Sequence, residues 1–310
     1  MTLPVYRPFP FREKIDPEIL DGFRRAGAVF EKKLHRKTVG IITLLTMKVD
    51  RALLDRAPAL KVVSNVAVGY DNVDVTECAR RGIVVTNTPG VLTDATADLA
   101  WVLLTGAARR VVEGDRYVRA GKFKAWDFYL MRGMDFAGRT LGIVGGGRIG
   151  QAVARRALGF GMRILYTARE PKPDFERTTG ARRVDLPALL RASDFVSLHV
   201  PMSPETRHLI GAKELALMKP TAVLVNTARG PVVDEGALAK ALRARRIFAA
   251  GLDVYEREPA VHRGLLALDN VVLLPHVGSA TEGARLGMVE TAHRNCLAVL
   301  RGEPPPNPVR

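Results

Sequence analysis

The sequence of 310 residues contains only two cysteines, which argues against several classes of protein. Cys78 and Cys296 are far apart and form no CxxC pair, so they predict neither a disulfide framework nor a cysteine zinc site. No group of histidines and carboxylates has the spacing of metal ligands, and we expect no metal. So few cysteines suit a reducing compartment, and we expect a cytoplasmic protein.

Long apolar runs are also absent. No run approaches the ~18 residues that cross a bilayer. The opening residues, MTLPVYRPFPFREK, lack the apolar core and the cleavage site of a signal peptide. These absences predict that the protein has no membrane partner and support the cytoplasmic assignment.

The sequence has fewer acidic than basic residues: 32 Asp and Glu against 47 Lys and Arg, which gives a formal net charge of +15. Such a charge could attract nucleic acid, an anionic membrane or small anionic substrates. The basic residues, however, are dispersed in pairs such as Arg24-Arg25 and Arg245-Arg246 and form no long block. This dispersal is typical of exposed helix faces, so we interpret it as a solvated surface and expect no nucleic-acid partner.

Short apolar runs alternate with segments of helical composition through the middle of the chain, which predicts repeated βαβ units and a parallel sheet. The predicted strands are TLGIVG (140–145), RILYT (163–167), FVSLHV (195–200), AVLVNT (222–227), AAGLDV (249–254) and VVLLP (271–275). A shorter series of such runs occupies the first ninety residues and predicts a second, smaller α/β domain. The long segment of residues 96–121 has helical spacing, and we expect it to bridge the two domains.

The predicted fold class is therefore α/β, with two Rossmann-like, doubly wound parallel-sheet domains and an active-site cleft between them. The length allows two domains that each bury a core. We assign residues 1–94 and 276–310 to a substrate domain, and residues 95–275 to a dinucleotide-binding domain. The chain would thus leave the first domain and return to it.

A glycine-rich turn follows the first strand of the larger domain. Gly145, Gly147 and Gly150 have the G-x-G-x-x-G spacing, between a predicted strand and a predicted helix. These glycines allow a tight turn, close approach of the backbone to a pyrophosphate, and close packing of helix on strand. The turn as a whole, residues 145–150, is thus a candidate dinucleotide site; its other members are Gly146, Arg148 and Ile149.

The end of the next strand bears on the choice of cofactor. NAD enzymes usually place a carboxylate there, to bind the ribose hydroxyls. This chain has Ala168 followed by Arg169, whose planar guanidinium suits a 2′-phosphate. We therefore expect NADP(H) to be preferred, while Glu170, one residue further on, keeps NAD(H) possible.

Three further strands are each followed by a residue of reactive type: Arg229, Glu258 and His276. Ligands of open α/β sheets bind beyond the carboxyl ends of the strands, so these residues are expected to face the dinucleotide. A forked guanidinium can bind a carboxylate and polarise a ketone. An imidazole titrates near neutral pH and can donate a proton to the developing alkoxide. A carboxylate can orient that imidazole, and this role falls to Glu258, although Glu256 is a second candidate nearby.

These motifs together resemble the D-isomer-specific 2-hydroxyacid dehydrogenases, and most closely their glyoxylate/hydroxypyruvate reductase branch. The resemblance covers about residues 60–303 and rests on VGYDNVD, GIVVTNTPGVLTDATADLAW, GIVGGGRIGQAVA, NTARGPVVDEGAL, GLDVYEREP and LLPHVGSA. It implies that Arg229, Glu258 and His276 are catalytic, and that backbone N–H groups of Val68 and Gly69 help to bind the substrate carboxylate. Formate dehydrogenases of this superfamily have Gln at the catalytic Glu position, so Glu258 disfavours that activity.

The resemblance also implies cofactor contacts and a partner. Asp253 corresponds to the residue that binds the nicotinamide carboxamide, and Thr96 lies where the family contacts the cofactor phosphates. The remaining expected cofactor contacts are Thr227, Ala228, Arg229, His276 and Gly278. Trp126 matches a Trp that lines the substrate pocket of the other subunit, which predicts a homodimer, although it could equally be an interface residue without substrate contact.

The expected activity is the reduction of glyoxylate, hydroxypyruvate and similar 2-oxo acids to D-2-hydroxy acids. Two alternatives remain open: a related dehydrogenase of D-lactate, D-glycerate or phosphoglycerate, and a dinucleotide-sensing binding protein like the corepressors built on this fold. No basic arm or zinc finger supports the latter. Among the other histidines, His199 and His208 are expected at the edge of the core or the cofactor, and His35, His262 and His293 at the surface.

The chain departs from the family pattern near its beginning. The segment between the second strand and VGIITLL is reduced to about KKLHRKT, roughly one helix shorter than the family pattern. The structure of the smaller domain in this region is therefore left open by the sequence.

Overall fold

The computed structural model describes residues 2–309, which divide into two units. Unit 1 comprises residues 2–92 and 279–309, and unit 2 comprises residues 93–278. The boundaries expected from the sequence lay at 94/95 and 275/276. The structure thus places His276 in unit 2, with Arg229, Glu258 and the glycine turn.

Unit 1 is built on a five-stranded parallel sheet. Its strands are β1 (Leu3–Tyr6), β2 (Ala28–Glu31), β3 (Gly40–Thr43), β4 (Val62–Asn65) and β5 (Val84–Thr86). They pair in the order β2-β1-β3-β4-β5, and each of these pairs is parallel. Every residue of β3 and β4 is buried, which explains why both appear as nearly continuous apolar runs.

The helices of unit 1 are α1 (Pro17–Arg25), α2 (Arg51–Asp55), α3 (Val75–Arg80) and, after the chain returns, α12 (Glu282–Leu300). Asp16, Asp50 and Asp74 cap the first three, because each carboxylate accepts a backbone N–H of the first turn. Residues 32–39 link β2 to β3 without a helix, and these strands flank β1 on opposite sides. The shortened segment is thus a loop.

Unit 2 contains a seven-stranded parallel sheet. Its strands are β6 (Thr140–Val144), β7 (Arg163–Thr167), β8 (Arg182–Arg183), β9 (Phe195–Leu198), β10 (Val223–Asn226), β11 (Ala249–Leu252) and β12 (Val271–Leu273). Their order is β12-β11-β10-β9-β6-β7-β8. Strand β6 has β7 on one side and β9 on the other, so the direction of the strand order reverses at β6. The glycine turn follows β6, and open α/β sheets bind ligands at such a switch point.

Helices cover both faces of this sheet. They are α4 (Thr93–Ala108), α5 (Val111–Arg119), α6 (Arg148–Leu158), α7 (Pro173–Thr179), α8 (Leu186–Ala192), α9 (Ala212–Leu217), α10 (Glu235–Arg243) and α11 (Arg263–Leu266). Two apolar clusters fill the spaces between helices and sheet, one containing α4 and α6 and the other α8 and α10. Among residues 2–309, no helix combines the length and the apolarity needed to cross a bilayer.

The segment with helical spacing, residues 96–121, lies largely in two helices, α4 and α5. The chain leaves the helical conformation at Arg110, whose φ of 54° is left-handed, and α4 and α5 lie on either side of it. The Arg110 guanidinium holds both carboxylate oxygens of Glu113, at 2.8 and 2.6 Å. Helix α4 is largely buried and α5 has no buried residue, so the break separates a core helix from a surface helix.

Candidate active site

The glycine turn is tightly packed at two positions and open at a third. A Cβ on Gly145, whose φ is +107°, would lie 2.6 Å from the carbonyl oxygen of His199, and one on Gly150 would lie 2.1 Å from that of Gly145. A Cβ on Gly147 would meet no atom within 4 Å. Since Gly147 is also the N-cap of α6, open backbone and the positive end of a helix coincide there. The turn therefore fits a pyrophosphate.

The other residues of the turn have different surroundings. Gly146 packs beneath the Tyr166 ring, since a Cβ there would lie 3.1 Å from it. Arg148 is exposed at the first position of α6, and Ile149 packs against the core. Only backbone and one exposed guanidinium are thus presented at this turn.

The end of β7 carries Ala168 and Arg169, as expected. Arg183, on the neighbouring strand β8, donates to the carbonyl oxygens of both residues, at 3.0 and 2.8 Å. Hydrogen bonds from Ser203 and from its own backbone lower the pKa of Glu205, and the charge of Arg169 adds to this effect. Arg169 thus lies next to two exposed carboxylates, Glu170 in the same loop and Glu205.

Arg229 follows β10 in a turn that Asn226 organises. The Asn226 side chain accepts from the Ala228 N–H at 3.0 Å and donates to the Arg229 carbonyl at 2.9 Å. The next residue, Gly230, touches the loop after β11, because a Cβ on it would lie 1.8 Å from the Tyr255 carbonyl carbon. The turn that carries Arg229 is therefore packed directly against the loop that carries Glu258.

His276 and Glu258 are hydrogen-bonded. The Nδ1 atom of His276 lies 2.7 Å from one carboxylate oxygen of Glu258, and the Tyr255 N–H donates to the other at 3.0 Å. Both side chains are partly exposed, at 26% and 31%. The second candidate, Glu256, instead contacts His208 and the N–H of Glu235. The pairing of Glu258 with His276 leaves the other ring nitrogen, Nε2, available to a substrate.

The carboxylate of Asp253 holds the turn around His276. It accepts the N–H groups of Val277 and Gly278 at 2.8 and 2.7 Å, and the Asp253 carbonyl accepts that of His276 at 2.8 Å. His276 has a left-handed φ of 56°, which is costly for a residue other than glycine. Three consecutive N–H groups bound to one residue explain how this conformation is maintained.

Burial and hydrogen bonding act in opposite directions on the carboxylates here. Burial favours the neutral form of Glu258, but the bonds from His276 and the Tyr255 N–H, with the charges of His276 and Arg229, together lower its pKa below the usual range. Burial raises the pKa of Asp253, and the N–H groups of Val277 and Gly278 only partly offset this. Glu258 is consequently ionised at neutral pH and suited to stabilise an imidazolium.

The remaining expected site residues are distributed between the units. Thr96, Gly278 and Asp253 lie together in unit 2, since a Cβ on Gly278 would be 3.2 Å from Asp253 and 3.5 Å from Thr96. The hydroxyl of Thr227 is buried and has no hydrogen-bond partner, so it could accept a ligand group. Val68 and Gly69 belong to unit 1, and their role with substrate stays a prediction.

Trp126 is 77% exposed and contacts the Phe128 ring. It therefore makes no contact with the catalytic residues of its own unit that the structure records, and its place at a pocket stays a prediction. Within residues 2–309, no group of three or more His, Cys, Asp or Glu side chains could hold a metal ion.

Two of the other histidines are withdrawn from solvent, His293 fully and His199 in part. His293 was expected at the surface, which is wrong, because it is fully buried and surrounded by the rings of Phe11, Phe23 and Phe30. Helical spacing alone did not show that its face of α12 is covered. His199 bonds Ser197 at 2.8 Å, and burial lowers its pKa to about 3, so it is neutral.

Sequence reasoning missed three supporting residues: Asn226, Tyr255 and Arg183. Asn226 had a usable signal, since Asn at a strand end commonly hydrogen-bonds the turn that follows. Tyr255 donates its hydroxyl to the Leu274 carbonyl at 2.7 Å, a contact that depends on the packing of neighbouring strands. Arg183 lies in a strand of two arginines, which no apolar pattern marks.

Comparison with known proteins shows the family to which the chain belongs. The model of the NAD-binding domain of D-isomer-specific 2-hydroxyacid dehydrogenases matches residues 101–278. The chain belongs to this family. A curated relative, the glyoxylate reductase of Thermococcus litoralis, is 55% identical to this chain over 285 residues. The matched region covers 91% of this chain and 86% of that protein.

Solved structures of the family share the fold of this 2-hydroxyacid dehydrogenase. A glyoxylate reductase from Paecilomyes thermophila superposes with a TM-score of 0.90 at 33% identity, over 99% of this chain and 98% of the other. An NADPH-dependent glyoxylate/hydroxypyruvate reductase from Sinorhizobium meliloti, solved with NADP and malonate, gives 0.87 at 35% identity, over 100% and 97%. Family membership makes this chain an oxidoreductase that uses a nicotinamide dinucleotide.

Proposed function

We propose that this enzyme reduces small 2-oxo acids, glyoxylate and hydroxypyruvate first, to D-2-hydroxy acids. The observation that carries the proposal is the 2.7 Å bond between Glu258 and His276, beside the turn that presents Arg229. This arrangement supplies a cation, a proton donor and a carboxylate that holds the donor. The curated relative from Thermococcus litoralis supports glyoxylate as the first substrate to try.

Each residue of the proposed catalytic set has one task. Arg229 binds the substrate carboxylate through its fork and polarises the ketone. The Nε2 atom of His276 donates its proton to the ketone oxygen, while Nδ1 remains bonded to Glu258. The ionised Glu258 accepts a hydrogen bond from Nδ1 and so fixes the orientation of the ring. When bound, a reduced nicotinamide would supply the hydride.

The proposed cofactor site follows the sequence expectations. The turn from Gly145 to Gly150 would hold the pyrophosphate, with Gly147 at the open approach. Ala168 and Arg169 would receive the adenosine end, and the guanidinium supports a preference for NADPH over NADH. The nicotinamide end would meet Thr96, Thr227, Ala228, Arg229, Asp253, His276 and Gly278.

Two alanine variants test the catalytic assignment. With NADPH and glyoxylate, Arg229→Ala should raise KM for glyoxylate by about 100-fold or more, because a charged contact to the substrate is lost. His276→Ala should lower kcat by about 10² to 10⁴-fold, the usual contribution of a general acid. His35→Ala, in unit 1, is the matched control and should behave as wild type. Near wild-type kcat/KM in both catalytic variants, for every 2-oxo acid tried, would contradict the proposal.

The same assay separates the related substrates. A panel of glyoxylate, hydroxypyruvate and pyruvate, with D-lactate, D-glycerate and phosphoglycerate in the oxidative direction, should give the highest kcat/KM with glyoxylate or hydroxypyruvate. A clearly higher value with pyruvate or with phosphoglycerate would assign the enzyme to a sibling activity.

The enzyme is further proposed to be a homodimer. Phe123, Trp126, Phe128 and Tyr129 form an exposed aromatic segment, each more than half exposed. Aromatic residues are enriched at protein interfaces, and a second copy of the chain would cover them. Sedimentation should show a dimer for the wild type and a weakened one for Trp126→Ala with Phe128→Ala. A monomeric wild type would contradict the proposed dimer.

We also propose that the protein is cytoplasmic, because Cys78 and Cys296 are free, buried thiols.

A further inference from the structure

We infer that Arg183 is a positioning residue for NADPH selectivity, acting through the backbone of Arg169. The inference rests on the proposed preference for NADPH. Its guanidinium donates through Nε to the Ala168 carbonyl at 3.0 Å and through a terminal nitrogen to the Arg169 carbonyl at 2.8 Å. No other side chain in the described part of the chain is recorded donating to these two oxygens.

The position of Arg183 follows from the edge of the sheet. Strand β8 consists of Arg182 and Arg183 alone, and it pairs with β7 so that Arg183 lies opposite Tyr166. From there its side chain extends along the strand direction and reaches past Thr167 to the two carbonyls beyond. An edge strand of two residues would add little to the sheet by itself, so its second arginine acts mainly on the loop.

Two adjacent carbonyls held by one rigid fork restrict the residue between them. The Ala168 oxygen belongs to the peptide plane before the Arg169 Cα, and the Arg169 oxygen to the plane after it. Fixing both planes restricts φ and ψ of Arg169, and with them the direction of its Cα–Cβ bond, from which the side chain starts. A guanidinium can make this bidentate contact, whereas an ammonium group is a point charge without the fork.

The surrounding charges make such positioning useful. Glu170 follows Arg169 in the chain, and the Glu205 carboxylate is close enough to Arg169 for their charges to interact. If its backbone were mobile, the Arg169 guanidinium would pair with either carboxylate and would then not be available to bind a phosphate. With its backbone held, less conformational entropy is spent when it binds a 2′-phosphate, and Arg183 adds positive charge beside that place.

The test compares Arg183→Gln and Arg183→Lys with a neighbouring control, Arg182→Gln. Arg182 is also exposed, and alternate residues of a strand face opposite sides of a sheet. Titration calorimetry without substrate gives Kd for NADP⁺ and for NAD⁺ with each protein, so the readout is independent of turnover. Hydrogen exchange of the loop after β7, without cofactor, reports whether the loop opens more easily.

We expect the wild type to bind NADP⁺ more tightly than NAD⁺. Both Arg183 variants should lose about fivefold or more of this ratio, through a weaker NADP⁺ affinity with NAD⁺ affinity unchanged, and should exchange faster in the loop. Arg182→Gln should keep the wild-type ratio and exchange.

Other outcomes overturn the inference in distinguishable ways. A wild type that prefers NAD⁺ overturns the proposed cofactor choice and this inference together. A wild type that prefers NADP⁺, with an unchanged ratio in Arg183→Gln, overturns the inference alone. A wild-type ratio in Arg183→Lys with a reduced one in Arg183→Gln shows that charge, and not the fork, is responsible. An equal loss in Arg182→Gln shows only a general effect of surface charge.

Discussion

Replacing Gly230 with Ala should separate the two loops that carry the catalytic side chains. The new Cβ would lie 1.8 Å from the Tyr255 carbonyl carbon, and 1.9 Å from its oxygen. Two carbon atoms in contact need about 3.5 Å, so the Arg229 turn and the Tyr255–Glu258 loop must move apart by about 1.7 Å. Both clashing atoms are backbone, so no rotation of a side chain can relieve the overlap.

A displacement of this size should be more serious for catalysis than for folding. A misplacement of about 1 Å can cost about 100-fold in rate, so we expect kcat/KM for glyoxylate to fall by about 100-fold or more. Overpacking with side-chain atoms costs about 1–3 kcal/mol of unfolding free energy, and this backbone clash should cost at least that much, out of a typical total of about 5–15 kcal/mol. Steady-state oxidation of NADPH measures the first effect, and thermal denaturation followed by circular dichroism the second.

The control is Gly283→Ala, because a Cβ at that position in α12 meets no atom within 4 Å. NADP⁺ binding by Gly230→Ala should weaken by a smaller factor than kcat/KM falls, since the glycine turn after β6 is a separate element and only the proposed nicotinamide contacts lie in the displaced turn. The reasoning is refuted if Gly230→Ala keeps kcat/KM within about threefold of wild type while remaining folded.

Two further predictions concern a supporting amide and a buried imidazole. Asn226→Ala leaves the Ala228 N–H and the Arg229 carbonyl without their hydrogen-bond partner. KM for glyoxylate should therefore rise by about tenfold in the same assay, and an unchanged KM would show that the turn keeps its conformation without Asn226. Burial lowers the pKa of His293 to about 4, against an ordinary 6.5, so its neutral form stabilises the fold above pH 6.5. As pH falls from 6.5 to 4, wild type should lose this stabilisation, about 3 kcal/mol of unfolding free energy, and His293→Gln should not. Urea unfolding at both pH values measures the difference, and equal losses in the two proteins would contradict the lowered pKa of His293.

Much of the fold could be predicted because buried parallel strands are apolar along their whole length. Six strands of unit 2, from β6 to β12 except β8, coincide with apolar runs. Strand β8 has two arginines and no such run, so its existence depends on pairing with β7. The break between α4 and α5 likewise has no signal in the sequence, since Arg110 adopts a left-handed conformation that arginine rarely takes.

The site was partly predictable for a different reason. Reactive residues that follow parallel strands meet at one edge of the sheet, so the order of motifs predicted that Glu258 and His276 lie together. The choice between Glu256 and Glu258 was not settled by spacing, because it depends on how the loop folds back on α10. The bonds of Asp253 to Val277 and Gly278 were likewise invisible, since they join a strand end to a turn 24 and 25 residues later.

A double-mutant cycle in kcat, with Glu258→Gln, His276→Ala and the double variant, tests the central claim, that His276 donates the proton while Glu258 acts through its hydrogen bond to that ring. Glu258→Gln alone should lower kcat by about 10- to 100-fold, because a charged hydrogen bond of about 1.5–3 kcal/mol is lost. In the His276→Ala background the same replacement should have little further effect, because Glu258 then has no ring to hold. An equal loss of kcat on replacing Glu258 with and without His276 would contradict the account.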